Sequence, residues 1–141
     1  ARAWFESRIP DAKFAGFQVG ADLGRAVASM DMFFNPSVTE AFGNVTLESM
    51  ACGLPVVAAK ATGSQSLVED KVSGRLITPG AINQFADALQ AYCVNTDLRA
   101  EHGSIGERRS LDYSWDAINQ TVADTYLRLI RQRAARAIAA R

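Results

Sequence analysis

Two glutamates, Glu40 and Glu48, stand with seven residues between them, and Gly43-Asn44 lies in that interval. A carboxylate has two acceptor oxygens, so one side chain can take both hydrogen bonds of a cis-diol. A glycine placed where a helix begins offers different chemistry. The first turn of a helix leaves its amides without intrahelical partners, and the macrodipole there favours negative charge. The free amides would be those of Asn44, Val45 and Thr46, and Gly43 would let a phosphate or sugar approach the backbone closely. Glu48 follows one turn later, on the same side of the helix as Asn44. About four residues of helix contribute ~6 Å, which with the loop puts the two carboxylates on the order of 10 Å apart. A catalytic dyad that works by covalent glycosyl transfer needs only ~5–5.5 Å. The wider spacing suits two groups gripping opposite ends of an elongated ligand.

These residues belong to the stretch FFNPSVTEAFGNVTLESMACGLPVVAA, residues 33–59. It reads as a strand ending at Asn35-Pro36, a loop carrying Glu40, and a helix from about Asn44 to Cys52. Strands are expected at Lys13–Phe17, Asp31–Phe34, Pro55–Ala59 and Arg75–Thr78, the last stopped by Pro79-Gly80. Helices are expected at Gly20–Met30, with Leu23, Val27 and Met30 on one stripe, and at Ser64–Asp70. Short apolar strands alternating with amphipathic helices indicate parallel βαβ units. The fold class is therefore α/β: a Rossmann-like three-layer domain whose parallel sheet binds ligands at the carboxyl ends of its strands. From Ala81 the pattern is helical only. Phe85, Ala88, Leu89 and Tyr92 form one stripe, Leu98–Arg109 is a second helix, and a closing helix starts near Trp115 with Ile118, Val122, Tyr126, Leu129 and Ile130 at helical spacing. Residues 1–141 read as a single domain without repeats or linkers. The opening ARAWFESRIPDA reads as a helix already under way and ended by Pro10-Asp11, which hints at a piece of a longer protein.

The 141 residues are 48% hydrophobic and 21% charged, with fifteen Lys+Arg against fifteen Asp+Glu. That balance argues against a general nucleic-acid binder, which needs a basic stripe. No apolar run approaches a membrane span. Cys52 and Cys93 have no metal-ligand spacing and read as small apolar fillers in a reduced, cytoplasmic chain. His102, in the polar run HGSIGER, reads as a solvated surface residue. Trp115 and Tyr126 read as core packing. The run of Arg128, Arg131, Arg133, Arg136 and Arg141 has no acid among it. It reads either as an exposed basic face or as a peripheral contact with the cytoplasmic face of a membrane.

Residues 33–59 resemble the signature of glycosyltransferase family 4, the group 1 glycosyltransferases of GT-B fold. The likeness is carried by Pro36-Ser37, Glu40, Phe42-Gly43, Glu48, Met50-Ala51, Gly53 and Pro55-Val56-Val57-Ala58. It continues through VEDKVSGRLITPG (Val68–Gly80), similar to the family's VEDGVTGLLVPPG, and covers FAGFQVGADLGRAVASMDMFFNPS upstream and the Ser114-Trp115…Tyr126 pattern. The resemblance implies the C-terminal, nucleotide-sugar-binding half of a retaining enzyme that moves a hexose from a UDP- or GDP-sugar to an acceptor hydroxyl. It implies that Glu40 serves the donor sugar and the charge at its anomeric carbon, with Phe42 and Gly43 binding sugar hydroxyls through their amides. Asn44, Val45 and Thr46 would face the diphosphate, Glu48 the ribose, and Phe17 and Gln18 the base. It also implies that the first strand, with its diphosphate-gripping Arg and Lys, and the N-terminal domain holding a sugar or lipid acceptor lie outside the chain. An isolated fragment would then be inactive. Thr62-Gly63-Ser64-Gln65-Ser66 departs from the family's GG-I/V-P-E, with serine in place of glutamate. The sequence contains no Asp-x-Asp pair, so neither a metal nor a cofactor is expected beyond the sugar nucleotide. The alternative is a non-catalytic α/β module, one that binds nucleotide sugar without turnover or a signalling receiver. A receiver needs an early acidic cluster and a late lysine, and Asn35-Pro36 and Thr78-Pro79 supply neither.

Overall fold

The computed structural model describes the backbone of residues 2–139 and the side chains of residues 2–136; Arg141 of the basic run lies outside the described residues. The order of elements is α1 (Arg2–Glu6), α2 (Gly20–Ala28), β1 (Phe33–Asn35), α3 (Asn44–Ala51), β2 (Val56–Ala59), α4 (Thr62–Leu67), β3 (Gly74–Ile77), α5 (Ile82–Val94), α6 (Thr96–Ser110), a 3-10 turn at Leu111–Tyr113 and α7 (Trp115–Ala139).

The β-branched pair Val56-Val57 opens the strand that holds the sheet together. β2 lies between β1 and β3, parallel to both, with Phe33 opposite Val56 and Val56 opposite Gly74. All four of its residues are fully buried, as a strand covered on both faces requires. Its alternating side chains feed two cores. Val57 and Ala59 join Ile77 and meet Phe85, Ala88 and Tyr92 of α5. Val56 and Ala58 meet Met50 of α3, Leu67 of α4 and Val68. Helices therefore cover both faces of a parallel sheet, the three-layer α/β arrangement expected from the sequence.

α6 lies against α3 through glycine. A Cβ on Gly103 would fall 2.0 Å from the Gly53 carbonyl oxygen, so only a bare backbone fits there. The surface reading of His102, next to Gly103 on α6, fails. The imidazole is 6% exposed, and its Nδ1 lies 2.7 Å from the Tyr92 hydroxyl across the α5–α6 contact. Burial is the largest influence on both groups: it pushes the Tyr92 phenol up and the His102 imidazole down. The smaller effects of Arg75 and Asp70 oppose each other at both sites, and Glu101 tends to raise His102. The two rings therefore share one hydrogen bond in the interior, and its direction follows the imidazole tautomer.

Four further expectations fail. Lys13–Phe17 forms no strand. Gly16 turns there with φ 72°, Gln18 Nε2 donates to Ala15 O at 2.6 Å, and the segment has no ladder partner among the described residues. Trp115 and Tyr126 are 78% and 64% exposed, so they are not core. Their helix is amphipathic as read, but α7 makes its main contacts with the Leu111–Tyr113 turn, leaving the apolar stripe uncovered among the described residues. Cys93 is exposed and fills no core position, because it follows Tyr92 around α5 to the outer side; Cys52 is half-buried. Finally, Glu6 rather than Pro10 ends α1, with Ser7 and Arg8 continuing as a turn.

Candidate functional site

β1 ends at Asn35, and Pro36 stops it from continuing because proline has no amide for the ladder. The chain then loops through Glu40 to Gly43, whose φ of 99° is a left-handed conformation natural to glycine. From this residue α3 departs. The first intrahelical bond runs from Leu47 N to Gly43 O at 2.9 Å. No side chain caps the helix, and the amides of Asn44, Val45 and Thr46 have no acceptor among the described residues. The helix therefore begins where the sequence placed it, with three free N–H groups. Thr46 itself is fully buried, and its hydroxyl has no hydrogen-bond partner among the described residues.

Glu40 is half-buried beside this turn, outside both apolar cores. Asn35 Nδ2 donates to its Oε2 at 3.3 Å. Its carbonyl accepts two bonds from the start of α4, one from Thr62 Oγ1 at 2.7 Å and one from Gly63 N at 3.0 Å. Gly63 is a contact point as well as a donor. A Cβ there would lie 2.7 Å from the Phe42 carbonyl and 2.8 Å from Glu40 Cγ. The Phe42 ring packs on the Tyr113 ring with centroids 5.8 Å apart, and Tyr113 OH donates to Ser66 O at 2.8 Å. Thus α4 and the turn before α7 hold the Glu40–Gly43 loop from one side while β1 holds it from the other.

Glu48 is exposed, and it makes no ion pair among the described residues. It lines a cavity of about 350 Å³ between α2 and α3, together with Gly20, Leu23, Gly24, Val27, Ala51 and Cys52. Neither Phe17 nor Gln18 lines this cavity. Phe17 is 93% exposed, and Gln18 lies just before Gly20, where α2 begins. The structure thus joins Glu40, Phe42, Gly43 and the free amides of α3 at one corner. It carries Glu48 one turn along the same helix, and leaves Phe17 and Gln18 outside the cavity lining. Chemically, the corner offers a carboxylate beside a cluster of amide donors. The cavity offers a second carboxylate above an apolar wall. Among the described residues no group of His, Cys, Asp or Glu is arranged to hold a metal ion.

The family model for group 1 glycosyl transferases matches residues 2–95. The chain belongs to the group 1 glycosyltransferases. It is similar to the D-inositol 3-phosphate glycosyltransferase of Saccharomonospora viridis, at 34% identity over 114 residues, which cover 81% of this chain and 26% of that protein. It is also similar to sulfoquinovosyl transferase SQD2 of Arabidopsis thaliana, at 34% identity over 109 residues, or 75% of this chain and 21% of that one. Among solved structures, Anabaena Alr3699/HepE in complex with UDP and glucose matches with a TM-score of 0.78 and 35% identity, covering 88% of this chain and 35% of that chain. The fold is that of the GT-B glycosyltransferases. The chain spans about a quarter of the length of the curated relatives it matches.

Asn35, Thr62, Gly63 and Tyr113 contribute to the corner at Glu40 and are not evident from sequence spacing. Asn-Pro-Ser carried a signal, since asparagine before a turn often bonds the backbone two residues on. Ser37 N does donate to Asn35 Oδ1 at 3.1 Å. Thr62-Gly63 carried the ordinary signal of a helix start. Its hydroxyl is used elsewhere, on a carbonyl 22 residues earlier, and nothing local announces that.

Proposed function

We propose that this chain is the sugar-nucleotide-binding part of a retaining glycosyltransferase that moves a hexose from a UDP- or GDP-sugar to an acceptor hydroxyl. The observation that carries the reading is the corner at the carboxyl end of β1: a half-buried Glu40 held on both sides, next to three unpartnered amides at the start of α3. Glu40 holds the donor sugar and supports the positive charge that builds at the anomeric carbon as the bond to the diphosphate breaks. Backbone amides at Phe42 and Gly43 take sugar hydroxyls. The amides of Asn44, Val45 and Thr46 receive the negative charge gained by the departing diphosphate, and fixed dipoles aimed at developing charge are the strongest kind of electrostatic help. No metal is called on in this reading. Glu48 accepts both ribose hydroxyls at the mouth of the cavity, and Phe17 and Gln18 approach the base. The acceptor, a sugar or a lipid, is held by a further domain, and the enzyme works in the cytoplasm. If the acceptor is a lipid, Arg128, Arg131, Arg133 and Arg136 of α7 meet the anionic membrane face. Among the described residues no helix is long and apolar enough to cross a membrane.

Calorimetric titration of the full-length protein with UDP, GDP and ADP tests the binding half. One of these is expected to bind, and Glu48→Ala is expected to weaken it about tenfold or more, the loss of hydrogen bonds to a charged acceptor. Unchanged affinity in that variant would remove the ribose assignment. Transfer from UDP-glucose or GDP-mannose tests the chemical half, and Glu40→Gln should abolish it.

A further inference from the structure

We infer that Asn35 is the positioning residue of Glu40: its side-chain amide aims the carboxylate. The inference rests on the reading of Glu40 as the donor-site carboxylate. It is built on three observations. Asn35 is the last residue of β1 and is paired in register with Ala58 of the fully buried central strand, so its Cβ is fixed by the sheet. Its two amide ends are not interchangeable. The backbone N–H of Ser37 donates to Oδ1 at 3.1 Å, which leaves Nδ2, the donor end, facing Glu40 Oε2 at 3.3 Å. Thirdly, Gly43 of its own loop and Gly63 of α4 lie against Glu40 Cγ and Thr62 bonds its carbonyl, and none of the three is charged. Thr62 and Gly63 hold the Glu40 backbone carbonyl and leave the carboxylate free to rotate. Among the described residues, Asn35 Nδ2 is the one side-chain donor to that carboxylate.

Asparagine suits this place because it does two jobs with opposite ends. Aspartate would keep the Ser37 bond and the shape, but would put an oxygen where the donor was. Two carboxylates about 3 Å apart cannot both ionise readily and titrate as a pair. The pair with one proton would imitate the native amide, because the protonated partner donates to the other. Without that proton, repulsion would push Glu40 off its aim. In the full-length enzyme, Asn35→Asp is therefore expected to transfer sugar at mildly acidic pH and to lose kcat as pH rises, a limb absent from wild type. Asn35→Ser keeps a short acceptor for Ser37 and lacks the reach to Glu40. Its kcat is expected to fall about tenfold at all pH values, the order of one hydrogen bond to a charged group.

The pH profile of kcat decides the matter, because a merely structural change would not create a new ionisation. A profile for Asn35→Asp that follows wild type overturns the inference, and so does wild-type kcat in Asn35→Ser if the aspartate variant does not fold. Glu40→Gln, run alongside, separates the two levels. If that variant still transfers sugar, the reading of Glu40 falls and the inference with it. If it is dead while Asn35→Asp behaves as wild type, only the role of Asn35 falls.

Discussion

A single methyl group at position 63 tests how the loop carrying Glu40 is held. In Gly63→Ala the new Cβ would stand 2.7 Å from the carbonyl carbon and oxygen of Phe42 and 2.8 Å from Glu40 Cγ. Ordinary contact starts near 3.4 Å, so α4 and the loop must part by about 0.7 Å, against backbone atoms that have no rotamer to change. Overpacking of this kind costs about 1–3 kcal/mol. Parting also stretches the bonds from Thr62 Oγ1 and Gly63 N to Glu40 O, each worth about 1 kcal/mol. Alanine near the start of a helix gives back up to about 1 kcal/mol relative to glycine. The net expectation is a chain less stable by about 1–3 kcal/mol, read as a lower midpoint in urea unfolding. The displaced carboxylate should lower transfer by the full-length enzyme about 10- to 100-fold, since misplacement near 1 Å costs that much in well-oriented sites. An unchanged midpoint together with full turnover would refute the packing argument. A lower midpoint with unchanged turnover would show that α4 holds the loop without setting the position of Glu40.

Two further outcomes concern stability. Lys71 sits at φ 65° where the family's pattern has glycine, and Lys71 N donates to Gly74 O at 2.8 Å to close the turn into β3. Lys71→Gly should therefore raise the urea midpoint, by about 0.5–1 kcal/mol of relieved left-handed strain; a lower midpoint would contradict the strain. His102 is the chain's one histidine, and burial holds its imidazole below the ordinary value of 6.5. The unfolded chain then binds the proton more readily than the folded one, so the stabilising effect is complete above 6.5 and is lost as pH falls below it. Stability of wild type measured from pH 7.5 to 5 should decline more steeply than that of His102→Asn, and parallel curves would refute the burial effect.

What could be read from the sequence follows the range of the forces involved. The run PVVAA announced β2 because β-branched residues without a polar partner every second position fit only a strand covered on both faces. Gly43-Asn44 announced the start of α3 because a left-handed residue and a helix start are decided within a few bonds of each other. Lys13–Phe17 had the composition of a strand, but a strand exists only where a neighbour completes its ladder, and no residue type carries that information. His102 misled for a related reason. Its neighbours in sequence are polar, and what covers it comes from elsewhere in the chain: Tyr92 of α5 packs on the ring, while Gly103 beside it lets α6 lie directly on Gly53.

The candidate site divides along the same line. Glu40, Gly43 and Glu48 stand out because each sits beside the local feature that gives it a use: a strand end, a turn, a first helical turn. The groups of α4 that hold the Glu40 backbone do not. Thr62 and Gly63 reach it from 22 and 23 residues away, and their sequence context says only that a helix begins. A carboxylate on a loop is a weak tool unless its position is fixed. Here the fixing comes from a strand end on one side and a helix start on the other, both set by the packing of β2 between its neighbours. The central strand's burial is thus a condition for the proposed chemistry at its edge: a change that loosened Val56 or Val57 is expected to shift β1 and α4. Glu40 would then be blunted with no substitution within its reach.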